Sequence, residues 1–298
     1  MRLGLVILLS LLMSGCALWR KDKEEKVETR AEREKTEPVL KPSEALKPET
    51  HSIASPVSDR FYVRGTAFQG NVTTQLRIDS TGATVPDGTL LLGEDDLGLD
   101  DVVEQARIEF DVRMRERNHV RIDYFKLNRF NQVVLGQDID FGDFNFDAGD
   151  TFRSKMDWRT LGLTYTYSLF RGERFEAGLG LGLHIFEIHA EGGEPGTLNR
   201  DRESEAGIFP TAAVNAAFRI SKRWAVTARY NGLKVDVDDG SGRYSDLHAD
   251  IQYRWRKNFA VGIGYTQLAM NIDLDDVNEP FFFDLDTRGP ELFFRAAF

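Results

Sequence analysis

The chain has 298 residues, a net charge of −10 and a single cysteine. The acidic balance excludes nucleic acid as a partner, because binding to a phosphate backbone needs a basic surface. A single cysteine excludes an intrachain disulfide, and no segment after the first apolar run is apolar enough for a transmembrane helix.

The first predicted element is a secretory signal. Arg2 supplies a positive charge, and the apolar run of residues 3–12 is too short to cross a membrane as a helix. The run ends in Leu-Met-Ser-Gly-Cys over residues 12–16, which resembles the lipobox of bacterial lipoproteins. The resemblance implies removal of residues 1–15, acylation of Cys16, for example with palmitate, and delivery to the outer membrane by the lipoprotein-sorting machinery.

Residues 16–59 are predicted to be a tether. They carry closely spaced charges of both signs, four prolines and few apolar side chains, a composition that cannot bury enough surface to fold. A flexible chain of this length spans roughly 35 Å, enough to join a lipid anchor to a domain in the same membrane. We therefore expect a disordered periplasmic tether over residues 16–59 and one domain over residues 60–298.

Within residues 60–298, apolar and polar side chains alternate with the period of β-strands. Residues 106–114, for example, place Ala, Ile, Phe, Val and Met on one face and Arg, Glu, Asp and Arg on the other. The predicted strands are 61–78, 103–115, 119–135, 154–169, 174–188, 207–220, 224–236, 246–256, 259–272 and 284–298. Each is long enough for a tilted membrane crossing of about 9–11 residues.

Two of these strands lose their alternation part of the way along. The slips occur at Phe125-Lys126-Leu127 and at Gln267-Leu268, and they predict β-bulges. Aromatic residues cluster beside the short connections, as in the interfacial girdle of a membrane barrel. They are Phe175, Phe218, Trp224, Trp255, Phe259 and Phe298.

Short and long connections alternate along the domain. The short ones are basic and lie near residues 115–118, 170–174, 221–223 and 256–258. The long ones are acidic and span 79–102, 137–153, 189–206, 236–246 and 273–287. Outer-membrane barrels have short periplasmic turns and longer outer loops, so the pattern predicts ten strands with both ends on the periplasmic side. An eight-stranded barrel with a folded insertion is the alternative.

The chain ends on an alternating strand and an aromatic residue, Phe298. This end resembles the C-terminal signal that the barrel assembly machinery reads in bacterial outer-membrane barrels. Over residues 60–298 the chain resembles small bacterial outer-membrane β-barrels as a class. The resemblance implies an all-β fold, a closed antiparallel up-and-down transmembrane β-barrel, in contact with outer-membrane lipids and lipopolysaccharide.

The polar face of the predicted strands is rich in charges of both signs, which must pair with one another because an unpaired buried charge costs several kcal/mol. The predicted ionic network of the lumen is Arg107, Glu109, Asp111, Arg113, Arg121, Asp123, Glu176, Arg229, Arg254, Glu291 and Arg295. It leaves two readings open: a sealed ionic core, or a narrow porin-like polar channel. Either one makes the protein a non-enzymatic lipoprotein barrel of the cell envelope.

An enzyme is the alternative. His184 and His248 fall on the polar face, and Asp246 and Asp250 flank His248 on that face. A carboxylate beside an imidazole can orient a general base, which makes His248, Asp250 and His184 the catalytic candidates of a surface enzyme acting on lipid A or peptides. With the apolar face turned inward, the same alternation would instead describe a soluble periplasmic barrel lipoprotein that binds a small ligand.

The acidic loops offer oxygen ligands for Ca²⁺ or Mg²⁺. The candidate donors are Asp95, Asp96, Asp238 and Asp239. None of these runs has the spacing of an EF-hand, so no metal site and no cofactor are predicted.

Overall fold

The structure is a computed structural model, and it describes residues 55–78, 89–141, 144–197, 200–237, 240–274 and 281–298. The predicted signal, Cys16 and most of the tether lie outside these ranges, as do Asp238 and Asp239. None of the described residues forms a helix that is long and apolar enough to cross a membrane.

The alternating segments form β-strands. In chain order they are β1 Phe61–Ile78, β2 Leu91–Leu92, β3 Val102–Arg115, β4 Asn118–Val134, β5 Ile139–Phe141, β6 Phe144–Phe146, β7 Thr151–Arg171, β8 Phe175–Gly193, β9 Arg200–Arg219, β10 Trp224–Val237, β11 Gly240–Arg256, β12 Phe259–Leu274 and β13 Phe281–Ala297. The three short strands are insertions: β2 pairs with β1, and β5 and β6 form a separate hairpin.

The ten long strands form one closed antiparallel barrel. Each pairs with the next long strand along the chain, and β13 pairs with β1 over almost its whole length. Closure satisfies the backbone hydrogen bonds of every strand, as a sheet surrounded by lipid requires. The all-β, ten-stranded, up-and-down barrel is therefore confirmed, and the eight-stranded alternative is wrong.

The outer face of the barrel carries an apolar belt next to the short turns. On β7 the outward residues from Leu161 to Leu169 are large and exposed, and they cover about 27 Å at roughly 3.4 Å per residue. The aromatic residues Phe175, Phe218 and Trp224 are exposed at the short-turn edge of this belt. Because the strands of such barrels are tilted by roughly 35–45°, this row corresponds to a belt about 20 Å tall, and it has the aromatic rim of a lipid-facing surface.

The polarity of the barrel inverts beyond the belt. At the loop end, β4 directs Phe125 and Leu127 inward and Lys126 outward, and β12 directs Leu268 and Met270 inward. The strand pairing continues through both places without a shift. The predicted bulges there are therefore wrong, because the slip in the sequence marks a change from a polar to an apolar interior. The register shifts that do occur lie beside short turns, at 113–115, 168–170 and 254–256.

Three of the predicted long loops are mostly strand. Strands β8 and β9 are separated only by residues 194–199, β10 and β11 by 238–239, and β12 and β13 by 275–280. Beyond the belt the strands have polar outer faces, and the sequence alone interprets such stretches as loop. Phe281 and Phe283 belong to the last strand and are buried inside the barrel.

A hydrophobic layer fills the barrel interior at the loop end. Its buried members come from most of the barrel strands, from the connection between β1 and β3, and from the hairpin β5–β6. They include Phe68, Leu76, Leu91, Leu97, Phe125, Phe141, Phe146, Phe152, Trp158, Ile188, Leu268, Met270, Phe283 and Leu285. Two insertions thus fold into the barrel and close its loop end with a dry core.

Candidate functional site

The candidate site is the interior of the barrel between the short turns and the hydrophobic layer. We call it the ionic layer. The barrel interior buries eight arginines and eight carboxylates, with no lysine among the buried residues that the structure describes. Seven of the arginines and seven of the carboxylates, together with three histidines, project from the barrel strands in the membrane half; Asp59 enters from the N-terminal side, and Arg129 lies nearer the loops.

Glu109 and Arg64 form the centre of the ionic layer. The Glu109 carboxylate is fully buried and lies 3.3 Å from Nε of Arg64 and 2.7 Å from Nη2 of Arg229. Arg64 also pairs with Asp250 at 2.7 Å and with Glu291. One guanidinium group therefore bridges three carboxylates that come from three different strands.

Close approach of these groups depends on glycine. A Cβ at Gly264 would lie 2.9 Å from the Glu291 carboxylate and 2.7 Å from Cβ of Asp250. A Cβ at Gly162 would lie 2.6 Å from the carboxylate of Asp123. The small residues of the polar face therefore leave room for buried acids.

His248 is held between two carboxylates. Its Nδ1 lies 2.9 Å from Glu291 and its Nε2 lies 3.1 Å from Asp246, which also pairs with Arg107 at 2.8 Å. Of the two acids that flank His248 in the sequence, Asp246 thus contacts the ring, whereas Asp250, the catalytic candidate, binds Arg64 and Thr227. His248 is 1% exposed, so its ring is an interior group and is not open to a surface substrate.

His184 is also an interior group. It is fully buried, its Nδ1 lies 3.3 Å from the Thr211 hydroxyl, and its ring lies 4.6 Å from the ring of Tyr244. It stands where the ionic layer meets the hydrophobic layer. Among the described residues, no carboxylate lies within hydrogen-bond distance of its ring. The structure thus does not bring the three catalytic candidates together as one group.

A second cluster lies nearer the short turns. Arg113 makes a bidentate pair with Glu176 at 2.8 and 2.7 Å. His119 lies 3.2 Å from the same carboxylate and 3.0 Å from Asp111, and Ser168 donates a hydrogen bond to Glu176 at 2.5 Å. Ser168 therefore bonds to the acid and not to the imidazole, so the cluster is not the arrangement that activates a serine nucleophile.

The residues just before β1 enter the barrel. We call Ser55–Asp59 the N-terminal plug. Ser55, Val57 and Asp59 are each at most 5% exposed, and Asp59 pairs with Arg254 at 2.6 Å and with Arg295 at 3.0 Å. Burial raises the pKa of the Asp59 carboxyl group, and the two guanidinium groups oppose that rise.

A polar cavity of about 70 Å³ separates the plug from the centre of the ionic layer. Its lining includes Asp59, Tyr62, Arg121 and Arg229. At roughly 30 Å³ per water molecule, this space has room for about two waters. It is a small polar pocket inside the network.

The loop end is tied to the wall by one further arginine. Arg129 on β4 donates hydrogen bonds at 2.6 Å to Glu94, to the Thr74 hydroxyl and to the Asp100 carbonyl. These contacts fix the connection between β1 and β3 over the ionic layer. Two of its partners, Glu94 and Asp100, lie in residues 89–101, the described part of that connection, and these contacts hold this part against the barrel wall.

The acidic loop candidates have structural roles where they are described. The Asp96 carboxylate accepts a hydrogen bond at 2.8 Å from the Leu92 backbone, which closes a turn, while Asp95 is exposed. No group of three or more side chains within the described ranges could hold a metal ion.

The structure buries all eleven residues that the sequence assigned to the lumen. It adds Arg64, His119 and Asp246, which share the same alternation and could have been found from it. It also adds Asp59, for which the sequence has no signal, because the residue lies in a segment without strand periodicity. Phe298 pairs through its backbone with Phe61, and its ring is 63% exposed.

The lipid-facing wall carries a shallow groove of about 1160 Å³. On its floor Ala216, Ala228 and Ala249 lie side by side on three neighbouring strands. These outward side chains are small and apolar, so the groove is part of the lipid-facing surface.

No protein-family model matches the chain, and no curated protein matches its sequence. Among solved structures, the chain is similar to the outer membrane protease OmpT from Escherichia coli, with 10% identity over 80% of this chain and 97% of that one and a TM-score of 0.43. It is also similar to the transport unit of the autotransporter AIDA-I from Escherichia coli, with 8% identity, 87% and 93% coverage and a TM-score of 0.41.

A third similar structure is Ail, the attachment invasion locus protein of Yersinia pestis, with 8% identity over 78% of this chain and 99% of that one and a TM-score of 0.32. No residue role is carried over from these proteins at such identities. The chain itself is a closed, ten-stranded antiparallel β-barrel with an apolar belt outside and charges inside, similar in fold to bacterial outer-membrane β-barrels.

Proposed function

We propose that the protein is a sealed β-barrel of the bacterial outer membrane, with a structural role in the cell envelope. The observation that carries this proposal is that the lumen is blocked at several levels. The N-terminal plug occupies the short-turn mouth, the ionic layer fills the membrane half and the hydrophobic layer fills the loop end. A channel of the predicted narrow kind would need a polar path through that last layer.

The hydrophobic layer is the main obstacle to a channel. Trp158, Phe283 and Leu285 are completely buried there, and the rings of Phe141 and Phe146 pack on Phe152 at 5.7 and 5.0 Å. Ions and polar solutes lose their hydration in such a layer at a cost of several kcal/mol or more. We therefore favour the sealed barrel over the porin-like alternative.

The strands that project beyond the apolar belt support a further part of the proposal. There the barrel is apolar inside and polar outside, which is the arrangement of a water-soluble β-barrel. The membrane-embedded half therefore carries a rigid extramembrane head. With short turns in the periplasm and loops outside, this head faces the exterior of the cell, where it meets lipopolysaccharide.

The lipid anchor at Cys16 and the tether complete the proposal. Both rest on the resemblance of residues 12–16 to a lipobox. With acylation, the Cys16→Ala protein loses the mass of its acyl groups and retains an unprocessed signal, as intact-mass measurement will show. Identical processing in the parent and Cys16→Ala proteins, with no mass of acyl groups in the parent, would contradict the proposed lipid anchor but not the proposed barrel.

Single-channel recording in planar bilayers tests the seal. The purified protein, shown to be folded by its heat-modifiable mobility on gels, is expected to give no conductance steps. A porin inserted by the same procedure is the positive control. Reproducible steps from the folded protein would contradict the sealed barrel and support the channel alternative.

A further inference from the structure

The short-turn mouth of the barrel contains three arginines whose partners come from the N-terminal plug. Arg254 and Arg295 both bind one carboxylate oxygen of Asp59, at 2.6 and 3.0 Å. Arg113 donates to the backbone carbonyls of Val57 at 3.0 Å and Asp59 at 3.2 Å. The plug is therefore bound through one side-chain carboxylate and two carbonyl oxygens.

Arg254 and Arg295 have no second carboxylate within ion-pair distance among the described residues. Arg254 otherwise donates to the Lys257 carbonyl at 2.9 Å, and the guanidinium of Arg295 lies 3.8 Å from the Tyr62 ring centroid. Both side chains are nearly fully buried. Without Asp59, the mouth would hold two buried positive charges with no counterion.

Arg113 is positioned independently of the plug. Its bidentate pair with Glu176 fixes the guanidinium plane, and the remaining Nη2 and Nε protons point at the plug. Arg113 thus presents prearranged donors to the backbone of the plug, beside the two arginines that bind its carboxylate.

We propose that the short-turn mouth is a peptide-binding site, in which Arg254 and Arg295 bind a carboxylate and Arg113 binds the backbone beside it, and that the chain's own segment Ser55–Asp59 is its releasable ligand. The site latches the tether to the barrel, so the tether has an attachment on the barrel in addition to its predicted lipid anchor. The binding of the plug is independent of the proposed function. Only its consequence, the closing of this mouth as one part of the seal, rests on the proposed function.

Two observations support release rather than permanent burial. The latch consists of a five-residue segment, and the second oxygen of the Asp59 carboxylate, Oδ1, is buried without a hydrogen-bond partner. Burial also raises the pKa of the Asp59 carboxyl group, so the cost of desolvating the carboxylate outweighs the attraction of the neighbouring arginines.

Thiol accessibility in the full-length protein tests the latch. In a Cys16→Ala background, a Val57→Cys variant places a single thiol in the plug, at a position that is 4% exposed in the native protein. Labelling by a water-soluble maleimide is expected to be slow, and Asp59→Ala should accelerate it at least tenfold. The matched control is Glu116→Ala, which removes an exposed acid on a short turn and should leave the rate unchanged.

A second variant separates release of the plug from loss of the fold. Asp59→Ala combined with Arg254→Met and Arg295→Met removes both buried charges together with their counterion, so this variant should show the heat-modifiable folded band and still be labelled fast. Slow labelling in this variant, or an unchanged rate in Asp59→Ala, would overturn the latch. Neither outcome bears on the conductance test, which reports on the hydrophobic layer at the other end.

Discussion

At the scale of single residues, the interior of this barrel depends on arginine. The guanidinium group presents several donors in a fixed plane, so Arg64 can bridge Glu109, Asp250 and Glu291 at once. Lysine offers a single compact charge and would satisfy fewer of these acids. This geometry accounts for a buried set that contains arginines and no lysine among the described residues.

Replacing Arg64 should therefore destabilise the barrel strongly. Arg64→Met leaves three carboxylates without their shared partner, and we expect a loss of about 3–5 kcal/mol in the free energy of unfolding, because breaking a buried ion pair exposes the remaining charge to a low dielectric. Arg64→Lys should fall between Arg64→Met and the parent protein. Urea unfolding in lipid vesicles measures the difference.

The control for this prediction is an exposed ion pair on the outer wall. Arg159 lies 3.6 Å from Glu187, and both side chains are 43% exposed. Arg159→Met should cost less than about 1 kcal/mol. An Arg64→Met protein that is no less stable than Arg159→Met would show that the ionic layer is not a unit of stability.

At the scale of elements, each long strand has two halves of opposite polarity. In β13, Glu291 and Arg295 point inward beside the apolar belt, whereas Phe283 and Leu285 point inward beyond it. An outer face in lipid must be apolar, and an outer face in water must be polar. Because side chains alternate along a strand, the interior is polar beside the belt and apolar beyond it. The strand pairing stays regular where the outer surroundings change from lipid to water. The alternation of apolar and polar residues therefore slips in the sequence, as it would at a bulge, although no bulge is present.

The hydrophobic layer should contribute stability like the core of a soluble protein. Phe283→Ala removes a fully buried ring and should cost about 3–5 kcal/mol. The control is Phe282→Ala, one residue away in the same strand, which faces outward and is half-buried and should cost clearly less. Urea unfolding distinguishes the two, and equal losses would mean that the interior beyond the belt is not tightly packed.

At the scale of the whole molecule, the apolar belt sets how the barrel sits in the bilayer. Leu181 lies in the middle of the outward row of β8 and is 72% exposed, so lipid surrounds its side chain. At the loop end of β4, Val134 is almost as exposed at 62%, but it lies beyond the belt on the extramembrane head.

An arginine scan of these two positions tests that placement. Leu181→Arg should destabilise the folded barrel by about 2–4 kcal/mol, the cost of a charge on the lipid face near the bilayer midplane. Val134→Arg should change stability by less than about 1 kcal/mol, because its side chain meets water or headgroups. Similar losses at both positions in vesicle unfolding would contradict the position of the belt.

Much of the interior was within reach of the sequence. Alternation along residues 106–114 placed Arg107, Glu109, Asp111 and Arg113 on one face, and a closed sheet has only one inside, so these residues meet there. The pairing was harder to predict. Asp250 lies two residues from His248 on the same face, but the shear of the barrel brings Glu291 of a more distant strand to the imidazole instead.

By itself, the sequence predicted ten long strands and, along the apolar belt, which side chains share a face, because these follow from local periodicity and from the lengths of connections. The tertiary structure alone decided which charges pair, that two insertions fold into the loop end, and that Asp59 binds in the mouth. Those contacts join residues far apart in the chain, and their partners are chosen by the register and curvature of the closed sheet, which no local pattern encodes.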